Sequence, residues 1–413
     1  MRAIERPVDP RPAERASPED EADCAADPGP GSHPFIPCRV EQVVQELAAL
    51  SPEAERPRFW KLAHLLENLH HHRAGVQGRL LGALYAPFDP DAETVAPEPA
   101  AAESLQRFEA RLDELLRAAN FEPVPRETLE TPGEREVLNR LKIDPDFDAV
   151  ERLSVWVRGR GTKALRIRPV RRMFRLHEVE VPTHRRVVVA VRTRHDPHLT
   201  LKLFKDVPVR DLELLLPTVR VRMRLFDKLK LSGSGGAAAI SAWKLLRLAY
   251  VYTPGLAKLL ALPFQVLLLP LFLLVGGIYG GKTVLDYAKI RASYVTALAE
   301  HLYAITLASN RSVIALLAEM AAEEETKELL LAYALLGREP RPGIGPAALK
   351  ERVEAFVQER WRARIAFDAD GALRELDELA LGWRGEGDAR SVLPVDAALR
   401  NVDKAWDELY SPS

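Results

Sequence analysis

Cysteine is nearly missing from this chain, with two residues, Cys24 and Cys38, in 413. Two thiols build no disulfide framework, and neither has a CxxC partner, so thiolate metal sites and thioredoxin-type redox chemistry are excluded. Aromatic residues make up 7% of the chain, and few of them alternate with its cations, which weakens any reading as a base-stacking platform. Net charge is close to absent, at -1. Residues 1–31 contain no apolar core of the kind a signal peptide needs, and acidic residues mixed with their arginines argue against a transit peptide. Their Pro, Ala, Asp and Glu content reads as a disordered leader over residues 1–33. No internal repeat is present. What remains is a chain with 47% hydrophobic residues, long enough for two or three domains and a sizeable core.

The near-zero charge hides a strong asymmetry. Residues 1–150 hold 17 basic and 29 acidic side chains, residues 151–230 hold 21 and 8, and residues 231–413 hold 20 and 22. The balances are therefore -12, +13 and -2. A basic block of this strength calls for an anionic partner or an acidic neighbour. The first block could itself be that neighbour.

One apolar run stands out. Residues 259–281 (LLALPFQVLLLPLFLLVGGIYGG) contain no charge and are bracketed by Lys258 and Lys282. About 20 apolar residues suffice to cross a bilayer core. Pro263 and Pro270 are disfavoured inside a soluble helix and tolerated in a membrane one. The run is expected to be a transmembrane segment, the alternative being a buried soluble hairpin broken at Pro270. Residues 236–257 are also apolar but carry Lys244 and Arg247 near their centre. Each cation costs about 2.5–3.5 kcal/mol at mid-bilayer. An interfacial helix, with Trp243, Tyr250 and Tyr252 at headgroup level, fits better than a second membrane helix. Flanking cations balance on the two sides, so one span, two spans and a re-entrant hairpin all remain open.

Apolar spacing predicts helices over 39–50, 57–74 and 101–119, with residues 34–150 forming an acidic helical region. Residues 86–101 read as a loop. From 151 the period becomes two. Strands are expected at 153–157, 179–181, 186–191 and 199–203, with breaks at Pro182, Thr183 and His184 and at Asp196 and Pro197. Residues 151–231 thus form a basic β-rich module. Long amphipathic helices are expected over 283–309 and 312–336, within a region 283–337, and a linker at 338–345. In residues 346–410, a helix from Pro346, a short extended stretch at 365–367, a helix capped by Asp368, a hairpin turn at 385–388 and a helix over 395–409 resemble a winged-helix module. The fold class expected is an α+β membrane protein. It is mainly helical, with a small basic β-rich module, at least one transmembrane helix and a winged-helix-like C-terminal module.

Residues 276–283 (GGIYGGKT) match the phosphate-cradling G-x4-G-K-T pattern through Gly276, Gly281, Lys282 and Thr283. A working P-loop follows a strand of ordinary length. Here the preceding apolar run has 23 residues and no downstream strand ends in a magnesium-binding Asp. The pattern reads as glycines and a lysine at a membrane exit. His70, His71 and His72, with His64 before them, point in different directions on a helix and read as a solvated helix end. Glu319, Glu323, Glu324, Glu325 and Glu328 pair at i,i+4 beside Lys327 and read as a solvated acidic face. A winged helix suggests DNA, but its reading helix would carry Asp370, Glu375, Asp377 and Glu378 against Arg374, and phosphate would repel it. Within the basic module, Arg158, Arg160 and their neighbours form one cluster. Arg220, Arg222, Arg224, Lys228 and Lys230 form a second, just before the apolar segments. Cations near an anionic leaflet gain about 1 kcal/mol each.

Several spaced blocks resemble a known family. Phe204, Lys205, Asp206, Val207 and Pro208 lead into Asp211 and the Leu-rich stretch to Pro217, then Val221, Arg222, Met223 and Asp227. Phe35, Ile36 and Pro37 resemble the family's N-terminal start. Tyr294, Leu298, Leu302, Tyr303, Leu307 and Asn310 resemble the helix after its membrane segment, and Ala322, Glu323, Glu324, Lys327, Glu328, Leu331, Ala332 and Tyr333 its acidic helix. Phe367, Asp368, Ala372, Leu373, Ala405, Trp406 and Asp407 also fit. The family is that of domain of unknown function 3754, which includes transmembrane protein 143 of mitochondria. The resemblance covers roughly residues 34–410 and implies a membrane protein without an established activity or any catalytic residue to carry over. Lys244 and Arg247 depart from the second span sometimes expected in such proteins.

These observations lead to an expected function. The chain is read as a non-enzymatic membrane-anchored scaffold of a bacterial inner membrane, its large N-terminal region cytoplasmic. No catalytic residue, metal or cofactor is expected. Its partners would be anionic lipid, through Arg220, Arg222, Arg224, Lys228 and Lys230, and a protein bound by residues 346–410; nucleic acid is not expected. The alternatives are a membrane-bound nucleotide-using enzyme built on Lys282 and a nucleic-acid tether through the basic module.

Overall fold

The computed structural model describes residues 33–92, 102–130, 142–145, 147–167, 177–209, 219–222, 302–340, 343–385 and 387–409, with isolated positions between them. The helices are α1 (Val40–Leu50), α2 (Arg56–Tyr85), α3 (Ala102–Ala118), α4 (Arg126–Glu130), α5 (Arg311–Leu336), α6 (Pro346–Trp361), α7 (Ala369–Glu378) and α8 (Val395–Glu408). The strands are β1 (Glu122–Val124), β2 (Lys142–Pro145), β3 (Val150–Ile167), β4 (His177–Thr193), β5 (Thr200–Pro208), β6 (Val219–Arg222), β7 (Thr306–Ser309), β8 (Gly382–Arg384) and β9 (Arg390–Val392). Five of them form one antiparallel sheet in the order β1-β3-β4-β5-β7. Strands β2 and β6 pair separately, as do β8 and β9.

The sheet lies at the centre of the fold, which corrects the expected fold class. Trp156, Val188, Ala190, Leu201 and Leu203 on one face pack with Tyr85 of α2, Phe108 and Leu112 of α3, and Val313 and Leu317 of α5. The opposite face, with Val155, Val157, Val187, Val189 and Phe204, meets Leu129 and Ile305. Residues 187–191 are apolar without alternation because both faces are covered. The protein is thus a mixed α/β fold built on a five-stranded sheet, and its β part is the centre of the fold and not a small appendage. Among the described residues no helix is long and apolar enough to cross a membrane. The longest of them fail on charge: the middle of α5 carries Glu319, Glu323, Glu324, Glu325, Lys327 and Glu328. The run 259–281, the segment 236–257 and the GGIYGGKT pattern lie outside the described residues, as does the leader up to residue 32.

Two further expectations are corrected. Strand β4 runs unbroken through Pro182, Thr183 and His184, which pair with Thr162, Gly161 and Arg160 of β3. Strand β5 ends at Pro208, opposite Thr183, so Pro182 has a β neighbour on one side only. An edge position tolerates the missing N–H. Beyond it β3 and β4 continue as a two-stranded ribbon to the Ile167 and His177 pair. The helix expected up to Ser309 instead gives way to β7, which pairs with β5. Its last helical turn ends at Ile305.

Helix α5 is the axis of the molecule. Its first half packs on the sheet and the second half of α2, and its second half on α1, the first half of α2, and α6 to α8. A helix apolar on all sides belongs inside. Gly78 of α2 allows close approach, since an added Cβ would lie 3.3 Å from that of Ala318. The C-terminal elements follow the expected order: α6 opens with Pro346, Asp368 caps α7 by accepting from the Gly371 N–H, and the β8–β9 hairpin precedes α8.

Gly159 shows how tightly the N-terminal segment is held. It has φ +68°, and an added Cβ would lie 2.5 Å from the Phe35 ring. Gly159→Ala is therefore strained in backbone and in packing at once. The expected loss is about 1–3 kcal/mol, and thermal unfolding of the full-length variant should show a midpoint lowered by several degrees. An unchanged midpoint would mean that Phe35 is not seated on β3.

Candidate functional site

The middle of α5 places charge where the fold has no water. Glu324 is fully buried. Its Oε1 accepts the Ile36 backbone N–H at 2.5 Å. Its Oε2 receives Arg158 Nη2 at 2.8 Å and Lys327 Nζ at 2.9 Å. Lys327 also donates to the carbonyls of Ile36 (2.9 Å) and Cys38 (3.2 Å). Arg158 lies over the Phe35 ring, 4.5 Å from its centroid. One carboxylate thus ties β3, α5 and the N-terminal segment together. Burial lowers the Arg158 pKa, and the adjacent Glu324 opposes that shift. The expectation of a solvated acidic face is corrected for this residue: apolar neighbours on every side of the helix carry Glu324 inside with them.

The other carboxylates of the helix divide between solvent and interior. Glu319 is exposed. Glu328 accepts from Asn120 Nδ2 at 2.8 Å, and burial, then Glu324, push its pKa up to about 8. Glu325 is raised to about 7, first by burial and then by Glu375. The histidine run is corrected too. Helix α2 continues to Tyr85, so the run lies mid-helix and not at its end. His70 is fully buried, its Nδ1 2.8 Å from Thr326 Oγ1 and its Nε2 2.6 Å from Glu375 Oε1. His72 meets the Trp406 ring edge, and His64 lies 3.4 Å from Glu67.

Above the Glu324 network opens a cleft of about 620 Å³. Its walls come from β3 and β4, from α5 and from the N-terminal segment. Arg39, Arg158, Arg185, Arg186 and Lys327 line it together with Asp206 and Glu323, and Phe35, Ile36, Leu316 and Met320 supply apolar wall. Asp206 is the one non-glycine residue of β5 with positive φ, at 50°. The regular β4–β5 register skips it, between Val207 facing His184 and Lys205 facing Arg186. Backbone strain of this kind concentrates at ligand sites.

Of the residues singled out in the sequence, Arg158 sits at the base of this cleft. Arg220 and Arg222 lie in β6, opposite Asp144 and Lys142. Arg224, Lys228, Lys230, Gly276, Gly281, Lys282 and Thr283 lie outside the described residues. The basic block meets the acidic one through the β1–β3 and β2–β6 pairings and a shared apolar core, with Arg152 and Glu109 3.9 Å apart as an ion pair between them. Composition did not point to the cleft. The signal lay in the resemblance, because Phe35, Ile36 and Pro37, then Asp206, then Glu323 and Lys327 come from three of its separate blocks and all line this one cavity.

No solved structure matches the chain. A family model described as protein of unknown function (DUF3754) matches residues 172–312, which take in β4, β5, β6 and β7 and the first residues of α5. Over those residues this chain is similar to the DUF3754 family of proteins of unknown function.

Proposed function

We infer that the protein is a non-enzymatic scaffold held at a lipid surface. The observation that carries this reading is the content of the chain between β5 and β7. That stretch combines the 23-residue uncharged run 259–281 with the cations Arg220, Arg222, Arg224, Lys228 and Lys230 just ahead of it. An apolar stretch of this length gains far more from lipid than from water, and flanking cations add electrostatic attraction to an anionic leaflet. The +13 balance of residues 151–230 supports a cytoplasmic placement of the folded body, at a bacterial inner membrane. Residues 346–410 supply the contact for a protein partner in this scheme, and their four excess negative charges, counted to residue 413, favour a basic one.

Vesicle flotation of the full-length chain tests the reading. The protein should rise with vesicles containing phosphatidylglycerol in low salt. Replacing residues 232–297 by a short Gly-Ser linker should abolish flotation while leaving cooperative unfolding of the body. A full-length chain that stays at the bottom of the gradient with anionic and neutral vesicles alike would refute the scaffold reading.

A further inference from the structure

The cleft over Glu324 has the features of a binding site in its own right. Its lining carries five cations, Arg39, Arg158, Arg185, Arg186 and Lys327, against Asp206 and Glu323. The buried Glu324 balances one more, through its pairs with Arg158 and Lys327. Arg39 aside, four cations stand against three carboxylates, so the cleft keeps a net positive charge. Arg185 and Arg186 are only partly buried. Among the described residues neither guanidinium has a carboxylate partner, and Arg186 Nη1 is satisfied only by the Arg185 carbonyl, at 2.9 Å. Arg158, 7% exposed, keeps a buried Nε without an acceptor. Unpaired guanidinium forks around one cavity match the geometry of phosphate oxygens.

The remaining wall is apolar. Phe35 and Ile36 stand on one side, Leu316 and Met320 of α5 on another. A cavity of about 620 Å³ falls within the range of small-molecule sites, where apolar lining and a few convergent polar groups combine. A cationic floor beside an apolar wall suits a ligand with the same division. The two guanidinium groups of Arg185 and Arg186 suit a dianionic head.

We propose that this cleft binds a phosphate-monoester amphiphile, its phosphate held by Arg185 and Arg186 and its apolar part against Phe35, Leu316 and Met320. The site is separate from the apolar run and the cations ahead of it. The proposal deepens the lipid-surface reading by naming a lipid class, but it rests on the folded body alone.

Calorimetric titration of the full-length chain in an uncharged detergent tests it, with three probes. These are dihexanoyl phosphatidic acid, dihexanoylglycerol without the phosphate, and glycerol 3-phosphate without the chains. The first should bind saturably and the second should not. The Arg185→Ala/Arg186→Ala variant should bind the first at least tenfold more weakly with an unchanged unfolding midpoint. Equal binding of dihexanoylglycerol, no saturable binding of the phosphatidic acid, or an unchanged affinity in the double variant would overturn the proposal. Glycerol 3-phosphate binding as tightly as the lipid would overturn its amphiphile part and identify a free phosphate compound as the ligand. Flotation of the wild-type chain beside its titration keeps the two readings apart. A chain that floats but does not bind the probe sinks this proposal alone, and one that binds but does not float sinks only the scaffold reading.

Discussion

Glu324→Ala should lower the free energy of unfolding by about 3–5 kcal/mol, the largest loss expected of any single change on α5. The substitution does not simply delete one ion pair. It leaves Arg158 and Lys327, 7% and 3% exposed, as buried cations without their shared carboxylate, and removes the acceptor of the Ile36 N–H. Uncompensated buried charge, not lost attraction, dominates the cost. Urea unfolding of the full-length variant measures it. Glu319→Ala, one turn away and exposed, should change stability by no more than about 0.5 kcal/mol. A double change of Glu324→Ala with Arg158→Ala should cost less than the two single changes added together, by at least about 1 kcal/mol, because the second removes a charge that the first has stranded. Additive losses would show that the two side chains do not share one network.

Stability should also fall as the solution is made more alkaline between about pH 5 and pH 8. Burial raises Glu328 to about 8 and Glu325 to about 7, from an ordinary value of 4.5. In that window the folded protein holds protons that the unfolded chain has already released. Rising pH therefore favours unfolding, with a slope of up to about 1.4 kcal/mol per pH unit for each such proton. The stabilising contribution is complete below the ordinary carboxylate value and is lost through the raised one. Groups of both signs face these two carboxylates. Glu324, Asp368, Lys327 and Asn120 surround Glu328, and Glu375, Glu378, His70 and Arg73 surround Glu325. The drop between pH 5 and pH 8 should reach at least about 2 kcal/mol and should shrink in Glu328→Gln, which removes one of the two titrations. A flat profile in the wild type would place both carboxylates in water.

Local patterns in the sequence were legible where one physical rule acts alone. The apolar spacing of Leu105, Phe108, Leu112, Leu115 and Leu116 fixes α3, and those side chains are buried in the sheet-facing core. Pro346 and Asp368 mark helix starts for reasons contained in single residues. Reading failed where tertiary context decides. Pro182 breaks a strand only if both sides are paired, and the strand order that frees one side is not written locally. Glu324 and Lys327 sit at i,i+3 and look like an exposed pair. Their true signal was the apolar sequence on both flanks, from Ala321 and Ala322 to Leu329, Leu330 and Leu331. His70 followed the same pattern, placed inside by the length of α2. The cleft was the least legible feature, because its residues are drawn from positions as far apart as Phe35 and Lys327.

The pairing of β5 with β7 has a topological consequence. Lys202, Leu203 and Phe204 lie opposite Ser309, Ala308 and Thr306. Residues on both flanks of the intervening stretch enter one common interior, with Leu62 and Leu66 from the earlier part of the chain beside Leu329 and Leu373 from the later. The chain that departs after Pro208 is therefore stitched back beside its own point of departure. Amino- and carboxyl-terminal portions cannot be partitioned to opposite compartments without tearing a shared interior apart.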